Sequence, residues 1–278
     1  MMNDPHVERL IYRLKVNPTH QLIFENPPPL FHKYGAFNIR LENETLTVEM
    51  KEHYDTVESA KKIVGEFLKD WLHYTRFDFE WDLLYFKYES AEVIDRNPPP
   101  TVPGQCVFNG NVTVSMPTCK GTFTTGPIKV SQYPAPPTRF RASPDVETMW
   151  FRYQQHLHDK ETYQSLGYFC LSLMQWSTGV IQGARNAAVQ KYNIDRDVLD
   201  KLGELTSERG TPGDARKLDS GSTLVPLTDF ERRWIREAVK MLIRRKGEYD
   251  FEPATGASLE QITMTDLPKD VALISPCP

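Results

Sequence analysis

Alternating apolar and polar residues dominate the first part of the chain. Residues 37–41 and 46–50 place an apolar side chain at every second position, and a polar turn separates them. Residues 10–16 follow the same period. Because a period of two puts alternate side chains on opposite faces of a strand, the pattern predicts a hairpin with one buried face and a further strand upstream.

The pattern then changes to that of a helix. In residues 60–72 the apolar positions recur at intervals of three and four, and Asp55 or Thr56 can cap the start. We expect this helix to cover the sheet. Residues 77–85 alternate aromatic with acidic side chains, which predicts a strand with one solvated acidic face.

Two proline clusters, 98–103 and 134–137, follow. They bracket a stretch rich in threonine and valine, which predicts short strands joined by glycine turns that could complete the sheet. We interpret the prolines as a stiff connector rather than as a ligand for another protein.

From Ser143 onward the pattern is helical. Ser143 and Pro144 form a helix start, Asp195 caps a later helix, and Thr228 with Glu231 forms a capping box for a long last helix. Residues 163–176 are apolar on nearly all sides, which is typical of a helix in the centre of a bundle.

These elements predict an α+β protein with two domains. Residues 1–138 form an antiparallel or mixed sheet with a covering helix and proline-rich segments, and residues 139–278 form a helical bundle with an extended C-terminal tail.

Composition excludes some classes of protein. The net charge of -4 over 278 residues rules out the bulk basicity of a general nucleic-acid binder, so any contact with RNA must be local. The start resembles no signal peptide and no long apolar run occurs, which predicts a cytoplasmic protein without membrane contact. No cofactor or metal motif is present, and we predict neither.

Basic residues near the C-terminus are the best candidates for a binding surface. A polar, glycine-punctuated segment at 206–222 carries Arg209, Arg216 and Lys217. On the last helix, cations recur every four residues and predict one basic stripe opposite the apolar face: Arg232, Arg236, Lys240 and Arg244. The stripe is either a solvated helix face or, if it converges with the segment, an anion or RNA site.

Catalytic signals are weak. His156 and His158 lie two residues apart, so on a helix they point in different directions and cannot chelate one metal ion. No nucleophile-elbow sequence or glycine-rich phosphate loop occurs.

The order of elements in residues 145–248 resembles the HEPN superfamily of helical domains, found in RNases and in toxin and defence systems. The resemblance lies in an opening amphipathic helix (TMWFRYQQHL), a buried helix (YFCLSLMQW), an arginine-bearing segment (LTSERGTPGDARK) and a closing helix after PLTDFE. RNases of this family pair an arginine with a nearby histidine on one helix. Arg209 has no such histidine, and Pro212 would break the helix, so the resemblance implies a member without the nuclease pair.

Three hypotheses follow. The favoured one is a non-catalytic, bacterial-type binding or assembly protein, associated with a protein or RNA partner through a degenerate HEPN-like domain. The second is an RNase or nucleotide-acting enzyme that uses an arginine with His156 or His158. The third is a structural subunit of an oligomer, in which the strand at 77–85 pairs with a second chain.

Overall fold

A computed structural model describes residues 4–18, 22–79, 83–97, 128–209, 225–253 and 258–269. The chain divides into two compact units, Met1–Pro136 and Pro137–Pro278. The first contains a sheet with one helix and the second is helical, which confirms the α+β prediction.

The sheet of the first unit has five antiparallel strands in the order β3-β4-β5-β1-β6. The predicted hairpin is present, with Phe37 opposite Met50 and Leu41 opposite Leu46. The strands are β1 (Pro5–Val16), β2 (Leu22–Phe24), β3 (Leu30–Lys33), β4 (Phe37–Glu42), β5 (Thr45–Met50), β6 (Leu84–Asp95) and β7 (Ile128–Val130). The short strands β2 and β7 form a separate parallel pair. Most of the predicted strands between the proline clusters lie outside the described residues.

Helix α1 (Val57–Phe79) covers one face of this sheet, as predicted. The prediction of a strand over residues 77–85 is wrong at its start, because α1 continues to Phe79 and β6 begins at Leu84. The helical repeat continues through Thr75, which is buried and donates to the carbonyl of Leu72. Phe77 and Phe79 lie two residues apart, a spacing that fits a strand equally well, so the alternating pattern alone could not show where α1 ends.

The second unit contains five α-helices among the described residues. They are α2 (Pro144–Leu157), α3 (Tyr163–Trp176), α4 (Ala184–Tyr192), α5 (Arg196–Ser207) and α6 (Asp229–Phe251). Helix α3 contacts the other four, so its apolar sequence reflects a central position. The predicted caps are present at Ser143, Asp195 and Thr228.

Close packing in this unit depends on glycine. A Cβ atom at Gly247 would lie 2.2 Å from the ring of Phe140, and one at Gly167 would lie 2.8 Å from Thr206 on α5. Helix α6 also buries two charged residues, Arg245 and Lys246, each 5% exposed. Among the described residues, no helix combines the length and apolar character that a membrane span requires.

Candidate binding cavity at the start of helix α3

Arg209 holds the end of α5 to the start of α6. Its guanidinium group donates to Oε1 of Glu231, with Nε at 3.1 Å and Nη2 closer. Oε2 of the same carboxylate accepts from the backbone N–H of Thr228 at 2.8 Å, which completes the predicted capping box. Backbone pairing of Arg209 with Val225 adds a second link. Arg209 therefore links the end of α5 to Val225 and to the start of α6.

Burial alone would raise the pKa of the Glu231 carboxyl group. The hydrogen bonds from Thr228 and the charge of Arg209 outweigh this effect, so the pKa lies below its ordinary value. The charge of Arg209 is thus committed to a neighbouring carboxylate. Arg216 and Lys217, which the sequence groups with Arg209, lie outside the described residues.

The predicted basic stripe of α6 loses exposure along the helix. The side chain of Arg232 is 49% exposed, that of Arg236 is 37% exposed, and that of Lys240 is 17% exposed. Lys240 contacts Glu237 at 3.3 Å, and Arg244 is half-buried. Of the four, Arg232 is the cation most open to a ligand.

Arg232 lines a cavity of about 350 Å³. The cavity lies where the turn between α2 and α3 meets the residues that lead into α6. Its lining includes His156, Lys160, Thr162, Tyr163, Gln164, Pro226 and Leu227. We call it the α3 cavity, because the first turn of α3 forms part of its wall.

Helix α3 presents its N-terminal end to this cavity. Thr162 caps the helix by accepting from the N–H of Ser165 at 3.2 Å. The N–H groups of Tyr163 and Gln164 belong to the first turn and have no acceptor within the helix. The helix dipole adds a partial positive charge at the same end, an arrangement that suits an anion.

Gln164 is the least expected side chain in the cavity. It is only 6% exposed, yet its amide makes no hydrogen bond to any of the described residues. Its amide atoms are not among the fully buried unpaired atoms of the described residues, so they open onto the α3 cavity. A ligand in the α3 cavity would supply the missing partner.

His156 adds a defined hydrogen-bonding group to the wall. Its Nδ1 lies 2.8 Å from the carbonyl oxygen of Glu161, and its ring packs on Tyr163 at a centroid distance of 4.0 Å. Because a carbonyl oxygen can only accept, Nδ1 carries the proton. The neutral ring then has its lone pair on Nε2, which has no partner among the described residues.

The local charge favours an anion slightly. Glu161 lines the cavity, but its side chain is 9% exposed and is paired with Arg152 and with Ser165. The charges on the wall that are not paired in this way are those of Lys160 and Arg232, which are positive, and that of Asp159, which is negative. Arg232 also contacts Asp229 at 3.5 Å, but Asp229 is fully exposed, so solvent weakens that pair.

The sequence pointed to part of this site. It identified Arg232 as a candidate anion ligand and His156 as a candidate acid-base group, and both line the α3 cavity. It missed Gln164 and Lys160. The available signal for Gln164 was a polar residue in the first turn of an otherwise apolar helix. The described ranges contain no cluster of three or more residues that could hold a metal ion.

No protein-family model, curated protein or solved structure matches this chain.

Proposed function

We propose that the protein binds RNA without cleaving it, and that the α3 cavity holds one nucleotide of the strand. The amide of Gln164 carries this proposal, because it has no hydrogen-bond partner among the described residues and lines a cavity that also presents a helix N-terminus and two cations. The phosphate would lie on the N–H groups of α3, near Lys160 and Arg232. Gln164 would bind an edge of the base, as side-chain amides do in single-stranded RNA recognition.

The size and charge of the site support a local contact of this kind. A volume of about 350 Å³ lies in the range of small-ligand cavities. The resemblance of this unit to HEPN domains, proposed from the order of its elements, agrees with an RNA partner. The lack of the family's arginine and histidine pair agrees with binding rather than cleavage.

Fluorescence anisotropy with a short single-stranded RNA tests the proposal. Replacing Arg232 and Lys160 together by glutamine should weaken binding at least about tenfold, since a hydrogen bond to a charged group contributes about 1.5–3 kcal/mol. Arg196→Gln is a matched control, because the Arg196 side chain is also 49% exposed and lies in the first turn of a different helix. Equal affinity of the double variant and the wild type would contradict the proposal.

A second candidate function is RNA cleavage with His156 as general base. The hydrogen bond from Nδ1 to Glu161 favours it, because it leaves Nε2 able to take the proton of a ribose 2′-hydroxyl group. The 2′-oxygen would then attack the phosphorus to form a 2′,3′-cyclic phosphate, and the 5′-oxygen would leave and take a proton from water, with Arg232 stabilising the developing charge on the phosphate.

Incubation of the protein with the same RNA, with and without EDTA, separates the two candidates. Cleavage that is lost in His156→Gln but kept in His158→Gln would establish the second function. His158 is exposed and lies just past the end of α2, which makes it a suitable control. Binding with no product in either condition would support the first.

A further inference from the structure

The free edge of strand β6 has the features of a symmetric interface. The strand spans 12 residues and lies at the edge of the five-stranded sheet. Within the described part of the chain, no strand pairs with its outer edge. The strand contains no proline, and its four charged residues, Lys87, Glu89, Glu92 and Asp95, are of both signs, so they can pair with one another across a symmetric edge.

We propose that β6 pairs antiparallel with β6 of a second copy of this chain, about a two-fold axis between Glu89 and Ser90. Such a pairing would join the two five-stranded sheets into one. It does not depend on the proposed function of the helical unit.

A bulge in β6 makes this register consistent. The pairing of β6 with β1 shifts by one residue at Glu89, which lies between Tyr88 opposite Tyr12 and Ser90 opposite Ile11. In a regular strand, a two-fold axis between two residues would pair a side chain on the inner face with one on the outer face. The extra residue at the centre of β6 shifts the alternation by one position, so each inner side chain pairs with an inner one and each outer side chain with an outer one.

The pairs created on the outer face are complementary. Lys87 comes opposite Glu92 of the second copy, and the two-fold axis repeats this pair. Tyr85 comes opposite Ile94. These last two are among the exposed large apolar side chains, at 43% and 38%.

The inner face offers a second complementary set. Phe86, Tyr88, Ala91 and Val93 pack against the core of the unit but are only partly buried. The same axis places Phe86 opposite Val93 and Tyr88 opposite Ala91. Pairing of the edges would therefore extend the apolar core of one copy into that of the other.

Sedimentation velocity over a range of concentrations tests this pairing by charge reversal. The wild type should dimerise. Lys87→Glu and Glu92→Lys should each weaken dimerisation at least about tenfold, because each reverses two symmetric cross-strand pairs from attraction to repulsion. Lys62→Glu, an exposed lysine of α1 with the same change of charge, should dimerise like the wild type.

An equimolar mixture of the two weakened variants is the decisive sample. In the mixed dimer, the glutamate introduced at position 87 of one chain faces the lysine introduced at position 92 of the other. The second pair keeps its natural residues, Lys87 and Glu92, so both pairs attract and dimers should reappear. Circular dichroism of each variant checks that it is folded. A monomeric wild type at every concentration, or a dimer that Lys87→Glu leaves intact, would overturn the proposal.

Discussion

Breaking the contact between Arg209 and Glu231 should destabilise the helical unit by a measurable and specific amount. Glu231 accepts hydrogen bonds from Thr228 with one oxygen and from Arg209 with the other. Its side chain is only 12% exposed, and that of Arg209 is 28% exposed. The pair therefore acts in a partly buried setting, where solvent screens it less than a surface ion pair.

The magnitude follows from these contacts. Glu231→Ala keeps the bond from the backbone N–H of residue 231 to the Thr228 side chain but loses two others. The bond from the Thr228 N–H contributes about 1 kcal/mol and the charged bond from Arg209 about 1.5–3 kcal/mol, so the free energy of unfolding should fall by about 3 kcal/mol. Arg209→Ala should cost about 2 kcal/mol, because both hydrogen bonds between Thr228 and Glu231 remain. In a double-mutant cycle the two changes should be coupled by about 1–2 kcal/mol.

Urea unfolding followed by far-ultraviolet circular dichroism measures these values, with Arg233→Ala as a control for loss of an exposed arginine. The folded-state pKa of Glu231 is lowered, so the contribution is fully present above the ordinary glutamate range and is lost as pH falls through the folded-state value. If Arg209→Ala cost no more than Arg233→Ala, or the coupling were below about 0.3 kcal/mol, the proposed link between α5 and α6 would be refuted.

Three further predictions concern packing, pH and the α3 cavity. Gly247→Ala should lower the free energy of unfolding by about 1–2 kcal/mol, because overlap with Phe140 outweighs the gain in helix propensity. Gly65 has open space around it, so Gly65→Ala should raise the free energy of unfolding by up to about 1 kcal/mol. Equal effects of the two substitutions in thermal unfolding would contradict this. Burial, with the charge of Arg76, lowers the pKa of His73 to about 3, so between pH 6.5 and 5 the unfolded chain binds a proton that the folded chain does not. In urea unfolding, the free energy of unfolding of His73→Phe should therefore fall less steeply over this pH range than that of the wild type. Identical slopes of the free energy of unfolding against pH would contradict this. Gln164→Met keeps the length of the side chain but removes its amide, so it should change the free energy of unfolding by less than about 1.5 kcal/mol while weakening RNA binding. Unchanged RNA affinity would contradict a contact between this amide and the base.

Local signals made most of the fold predictable. Alternation in residues 37–50 and the capping box at Thr228 are set by neighbouring residues, and both are present. The boundary between α1 and β6 was not predictable in the same way. Phe77 satisfies both a helical and an alternating pattern, so the periodicity of the sequence could not show that α1 continues to Phe79.

The candidate site was harder to predict, for a physical reason. Spacing on α6 gives the direction of each cation around the helix axis, but exposure depends on which neighbours surround it. Arg232 and Lys240 share one stripe and differ from 49% to 17% in exposure. No local sequence pattern links Gln164 to these cations, because the α3 cavity is formed by segments that are distant in sequence.

Salt dependence of RNA affinity tests the central proposal most directly. Each phosphate contact with single-stranded RNA contributes about 0.7 to the slope of log affinity against log salt concentration. If Arg232 and Lys160 together neutralise the one phosphate held in the α3 cavity, replacing both by glutamine should reduce the slope by about 0.7, and Arg196→Gln should leave it unchanged. An unchanged slope in the double variant, or an equal reduction in Arg196→Gln, would contradict binding at the start of α3.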